Sequence, residues 1–240
     1  VDNGLKSVMI PTLWGEHDPY HHTKYDPFWE ICEDLGVIIH FHSGPAPHPE
    51  YFGAGFPVED RRDEMPGAMG IYVSEVMWWL YRPLTFMIWG GVFERFPALK
   101  TMIVEGGTMF MLPPWLRLMD FHHTEGQISA KLGNFRKHLS MKPSEYFQRN
   151  VGIGASCVLR PDLDMRDQIG LEKIMWGSDF PHPEGSWPNT AQYLKDNFSG
   201  LPEEDGRKIL GDNAVAFYGL DRARLQQVAD EIGPDASIFH

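Results

Sequence analysis

Five short apolar runs, alternating with longer segments of helical periodicity, leave this chain few choices of fold. The runs are Lys6–Pro11, Val37–His42, Lys100–Val104, Val151–Ser156 and Lys173–Ser178. Between the first two, Asp26–Leu35 carries Phe28, Trp29, Ile31, Cys32 and Leu35 on one helical stripe. Asp26 is placed to cap that helix, Pro27 suits its first turn and Gly36 ends it. Ile71–Phe96 reads as an aromatic-rich, mostly buried helix with a kink at Arg82-Pro83, and Leu112–His123 as another helix. Lys131–Phe147 reads as helix or loop and helix. Further helices are expected at Trp187–Asn197, Pro202–Leu210, Asn213–Tyr218 and Asp221–Ile232. Strand and helix in alternation mean parallel strands joined by crossover helices, hence an α/β fold. No Gly-x-Gly-x-x-Gly follows a strand and no phosphate loop is present, so a nucleotide-binding sheet has no positive support. The other parallel solution is a barrel, whose chemistry sits at the carboxyl ends of its strands.

Composition narrows the function. The chain has 240 residues, 42% of them hydrophobic and 22% charged, and is read as a single domain over residues 1–240. Its net charge of −12 argues against nucleic acid and against an anionic membrane surface as partners. The most apolar stretch, Val76–Phe93, is broken by Arg82 and Pro83 and reads as a buried helix, not a membrane span. No signal peptide opens the chain, and two cysteines, Cys32 and Cys157, make no disulfide framework, so a cytoplasmic location is expected. The first residue is Val1 rather than Met, which reads as a piece of something longer. Ser43–Gly70, rich in Pro and Gly, reads as a long functional loop.

The strand ends carry the chemistry. The second ends His40-Phe41-His42-Ser43-Gly44, the third Val104-Glu105-Gly106-Gly107, the fifth Gly177-Ser178-Asp179-Phe180-Pro181-His182. Imidazole and carboxylate are ligands for zinc, iron or manganese, and a catalytic site uses about three of them. Period two puts His40 and His42 on one face, with His42 at the rim. The plainer alternatives are a satisfied polar histidine and an aspartate capping the next helix. His21-His22 and His122-His123 read as solvated, and His17 and His48 stay undecided. The aromatic run Trp78-Trp79-Tyr81 reads as core, and Cys157, with no base placed beside it, is a poor nucleophile.

Longer motifs around these residues resemble a known family. Phe93-Glu94-Arg95-Phe96-Pro97-Ala98-Leu99-Lys100, Val104-Glu105-Gly106-Gly107 and Trp115-Leu116 before Asp120 resemble the amidohydrolase branch that includes aminocarboxymuconate-semialdehyde decarboxylase. Trp176-Gly177-Ser178-Asp179-Phe180-Pro181-His182-Pro183-Glu184-Gly185 resembles the most specific signature of that branch, and Ile209-Leu210-Gly211-Asp212-Asn213-Ala214 its closing helix. The resemblance runs from about Gly4 to Leu220 and implies a (β/α)₈ TIM-barrel holding a divalent metal, zinc or manganese. It implies His42 and Asp179 as metal ligands and Asp179, Glu105 and His182 as catalytic residues. Glu105 stands where many relatives have a histidine. The family's opening strand, with its His-x-His or Glu-x-His pair, has no match here. The chain therefore resembles the carboxyl-terminal part of the family domain, about strands four to eight.

Two functions follow from the resemblance. One is a metal-dependent hydrolase of a small-molecule amide, ester or lactone, or a related non-oxidative decarboxylase of a small carboxylated ring. The other is a truncated, non-catalytic barrel fragment that persists through assembly. Five strands leave two edges unpaired, and leaving about 1,000 Å² of apolar surface wet would cost on the order of 25 kcal/mol, so a homo-oligomer is expected. His42 and Asp179 are expected to share one ion, and Glu105 to face the same cavity; its alternative is bonding to helix amides outside it.

Overall fold

A computed structural model describes residues 1–12, 15–42, 66–106, 109–125 and 129–240. They form two compact units, each built from two stretches of chain. The first is Val1–Ile103 with Arg117–Val151, the second Val104–Leu116 with Gly152–His240.

In the first unit, strand β1 (Ser7–Ile10) leads to helix α1 (Asp26–Asp34) and strand β2 (Ile38–Phe41). Helices α2 (Ala68–Trp89) and α3 (Val92–Arg95) precede strand β3 (Thr101–Val104), and helices α4 (Leu112–Thr124) and α5 (Pro143–Asn150) follow it. β2 pairs in parallel with β1, Ile38 opposite Ser7, and with β3, His40 opposite Met102. Lying between two strands, β2 is apolar almost throughout: Ile38, Ile39 and Phe41 are buried. Trp29 of α1, Leu80, Leu84, Met87 and Ile88 of α2, and Tyr146 and Phe147 of α5 are buried too.

Three local expectations change here. Asp26 does not cap α1 with its side chain; both its oxygens bind Arg95, at 2.8 and 3.0 Å, so the charge pairs across the unit instead. The stretch expected as one helix, Ile71–Phe96, is two: α2 continues through Pro83 to Trp89, and Gly90-Gly91 separates it from α3. There the chain passes so close to His21 that a Cβ on Gly90 would lie 2.3 Å from the His21 Cβ, and Gly91 takes φ +68°. Among the described side chains of α2 the first buried one is Leu80; Ile71, Val73 and Trp78 are exposed, so of the aromatic run Tyr81 is core and Trp78 is not. No helix among the described residues is long and apolar enough to cross a membrane.

In the second unit, strand β4 (Val151–Ser156) leads through helices α6 (Arg160–Asp164) and α7 (Arg166–Ile169) to strand β5 (Ile174–Gly177). Helices α8 (Thr190–Phe198), α9 (Glu203–Arg207), α10 (Asn213–Tyr218) and α11 (Arg222–Ile232) complete it. A turn of π-helix, Lys208–Asp212, joins α9 to α10. β4 and β5 are parallel, with Ile153 opposite Ile174 and Ser156 opposite Gly177. Past the end of β3, the Gly106 N–H donates to the Gly154 carbonyl of β4 (3.0 Å). The five strands expected from the sequence are the five among the described residues, each within a residue or two of its expected bounds. The long loop expected at Ser43–Gly70 lies, from Ser43 to Glu64 and on to Met65, outside the described residues, as does His48.

The units share one device. Asn150, at the end of α5, is 1% exposed and donates both amide hydrogens, to the carbonyls of Pro97 (3.0 Å) and Leu99 (2.7 Å) just before β3. In the second unit Asn213, 5% exposed, donates to Leu171 and Ile174 at the start of β5, both at 2.8 Å. A primary amide is the neutral side chain with two donors on one nitrogen, so it can satisfy two diverging carbonyls, in each case one buried and one part-buried.

Candidate active site

The second unit holds three non-glycine residues with left-handed backbone, each at most two positions past a strand: Glu105 directly after β3 (φ +56°), Cys157 directly after β4 (φ +51°) and Asp179 two residues after β5 (φ +59°). Side chains rarely adopt this region, and holding one there costs on the order of 1–3 kcal/mol, aspartate at the low end and glutamate and cysteine above it. Glycine would remove the cost. Strain at three successive strand ends points to what the side chains do.

Asp179 heads a tightly closed turn. The His182 N–H donates to the Asp179 carbonyl (2.7 Å), the Gly185 N–H to the His182 carbonyl (3.0 Å) and the Ser186 N–H to the Ser178 carbonyl (3.0 Å). A Cβ on Gly185 would stand 2.7 Å from the Ser178 oxygen, 2.9 Å from that of Asp179 and 3.0 Å from that of His182. Only glycine lets the turn close. Closure brings His182 Nδ1 to 3.2 Å from Asp179 Oδ2. The same nitrogen accepts from the Glu184 N–H (3.4 Å). It can therefore carry a proton toward the carboxylate or, with the proton on Nε2, accept from the amide. The capping alternative for Asp179 fails: α8 begins at Thr190, and Asn189 is its N-cap.

Glu105 is half-buried at its strand end. The segment after it is anchored by Asp162 of α6, 2% exposed, which accepts the Phe110 N–H (3.0 Å). Burial pushes the Asp162 carboxyl above the usual range, opposed by N–H bonds from Phe110, Leu159 and Met109. The folded state then holds its proton to higher pH than the unfolded chain. This contribution to stability is complete below the unfolded pKa and is lost as pH rises through the folded one. Urea unfolding of wild type and Asp162→Asn between pH 3 and 7 is expected to show the wild type losing stability relative to the variant as pH rises. A pH-independent difference would contradict this.

His42, at the end of β2 in the first unit, is half-buried, as is His40, whose imidazole burial holds below its ordinary pKa. The other histidines divide. His22 accepts the Lys24 N–H at a helix start (3.0 Å), and His21 lies against Phe86 (ring centroids 5.4 Å). His122 and His123, expected to be solvated, are half-buried, and their Nδ1 atoms are shielded from solvent at the end of α4.

Among the described residues no three of His, Cys, Asp and Glu converge as a metal site. Taken singly, the imidazole of His42 in the first unit and the carboxylate of Asp179 in the second are donors of the type that zinc or manganese takes.

Sequence reading overlooked the supports of this site. Asp162 carries no local motif; Gly185 lies inside the Trp176–Gly185 signature and could have been read from it.

The amidohydrolase family model matches residues 1–220, and the chain belongs to that family. It is 25% identical over 207 residues to 2-amino-3-carboxymuconate-6-semialdehyde decarboxylase of Dictyostelium discoideum, covering 81% of this chain and 48% of that one. Among solved structures it is similar to 5-carboxyvanillate decarboxylase from Sphingomonas paucimobilis (TM-score 0.67, 24% identity, 90% of this chain and 59% of that one). It is also similar to a dihydroxybenzoic acid decarboxylase from Polaromonas, solved with manganese and the inhibitor 2-nitroresorcinol (TM-score 0.57, 21% identity, 86% and 57%). The barrel-type α/β fold is thus the family's, and the chain spans about half the length of these relatives.

Proposed function

We propose that this chain contributes to a divalent-metal-dependent enzyme that decarboxylates a small carboxylated ring without oxidation. The observation that carries it is the Asp179–His182 pair, 3.2 Å apart on a strained turn that closes only because residue 185 is glycine. That the relatives above are named as decarboxylases favours this reaction over hydrolysis of an amide, ester or lactone.

His42 and Asp179 would be ligands of the ion, with further donors from outside the described residues. When bound, such an ion supplies Lewis-acid polarisation of substrate oxygens. The protein's own residues manage the proton. Asp179, protonated, delivers a proton to the ring carbon as the bond to the carboxylate breaks and carbon dioxide leaves. His182 restores that proton through Nδ1. Glu105 is assigned to the same site, its strain at the β3 end being the support.

The test is a manganese titration followed by electron paramagnetic resonance, then carbon dioxide release from 5-carboxyvanillate and 2,6-dihydroxybenzoate. Manganese-dependent release is expected. Manganese-dependent cleavage of esters or lactones with no carbon dioxide from either acid would favour the hydrolase instead.

A further inference from the structure

Glu105 and Asp179 have chemical reasons to accept a strained backbone; Cys157, the third such residue, has none in the function above. Its surroundings supply one. The Cys157 N–H continues the β4–β5 ladder by donating to the Gly177 carbonyl (3.0 Å). Its own carbonyl accepts the Tyr193 hydroxyl from α8 (2.6 Å), which also reaches Val158 (3.3 Å). With the backbone held from both sides, left-handed φ aims the side chain at the neighbouring turn. Cys157 Sγ lies 3.9 Å from the Ser178 carbonyl and 3.8 Å from that of Glu184, within reach of an S–H donor. Those carbonyls stand at the two ends of the turn that carries Asp179 and His182. One of them, Ser178, also accepts the Ser186 N–H that closes it.

We propose that Cys157 is a positioning residue: its one S–H, shared between the carbonyls of Ser178 and Glu184, holds the two ends of the Asp179 turn together, and β4 ends on a strained cysteine rather than glycine for that purpose. The inference rests on the reading of Asp179 as the working carboxylate, but its geometry does not. Burial pushes the Cys157 thiol above its ordinary pKa, which disfavours a nucleophilic thiolate.

Amide hydrogen exchange on the full chain tests it. In Cys157→Ala, which keeps the left-handed strain and removes only the donor, the amides of His182, Gly185 and Ser186 are expected to exchange about fivefold faster, with those of β4 and β5 unchanged. Cys157→Ser, which keeps a donor, is expected to recover much of the protection. Should the alanine variant fail to fold, Cys157→Gly, free of strain at this φ, is expected to fold and to show the same loosened turn. Protection within twofold of wild type in the variants lacking the thiol, or a serine variant no better than alanine, would overturn the proposal. Manganese titration of Asp179→Asn separates the two readings. Undiminished affinity there would overturn the metal role of Asp179 while leaving the exchange result to decide on Cys157.

Discussion

Asp179→Asn is expected to lower carbon dioxide release by about three orders of magnitude, the usual scale for loss of a general acid or base, and to remove most manganese affinity. Asparagine is nearly isosteric and, like aspartate, tolerates left-handed backbone, so the turn at φ +59° should survive. The change then isolates chemistry from folding. It replaces an anionic oxygen that can bind a cation and exchange a proton with a neutral amide that does neither well. His182, 3.2 Å away, would face an amide and lose its acidic partner. His182→Asn should be milder, because Asp179 can also be reprotonated from water across a side chain that is about one-fifth exposed. A single-turnover rate with saturating manganese checks both. An Asp179→Asn variant within tenfold of wild type would remove this residue from the mechanism.

The second large effect is on stability. Asn213→Ala is expected to cost about 2–3 kcal/mol, since it strands the buried carbonyl of Ile174 and the part-buried one of Leu171, which now each accept a 2.8 Å hydrogen bond. Such a loss is a large part of the roughly 5–15 kcal/mol that holds a typical domain together. The position also bears on function: Ile174 begins β5, the strand that ends in Gly177 and the Asp179 turn. Asn213→Asp should be no better than alanine, because a carboxylate offers the carbonyls lone pairs rather than donors. Urea unfolding followed by circular dichroism measures both, and a loss below 1 kcal/mol for alanine would show that solvent or a shift of the chain satisfies the carbonyls.

Much of this molecule is legible in its sequence. All five described strands are mostly apolar runs of four to six residues; β2 to β5 are largely buried, as such runs are between covering layers, whereas β1 is only half-buried and leaves Met9 exposed. The signature Trp176–Gly185 resembles the family closely enough to single out Asp179 and His182 in advance, and the family match over residues 1–220 bears the resemblance out. Helix and strand periodicity, glycine stops and strand-end polar residues are local properties, written in neighbouring positions.

What only the tertiary structure decided is the set of partners. Asp26 looks like a helix cap until Arg95, 69 positions away, takes both its oxygens. Ile71–Phe96 looks like one helix until Gly90, packed against His21 with no room for a Cβ, and Gly91, at φ +68°, divide it. Cys157 looks inert until its strained φ and the carbonyls of Ser178 and Glu184 give its thiol something to hold. Hydrogen bonds and ion pairs depend on distance and direction between atoms far apart in sequence. Such contacts leave no periodic trace in the chain, so they exist only once the backbone has folded.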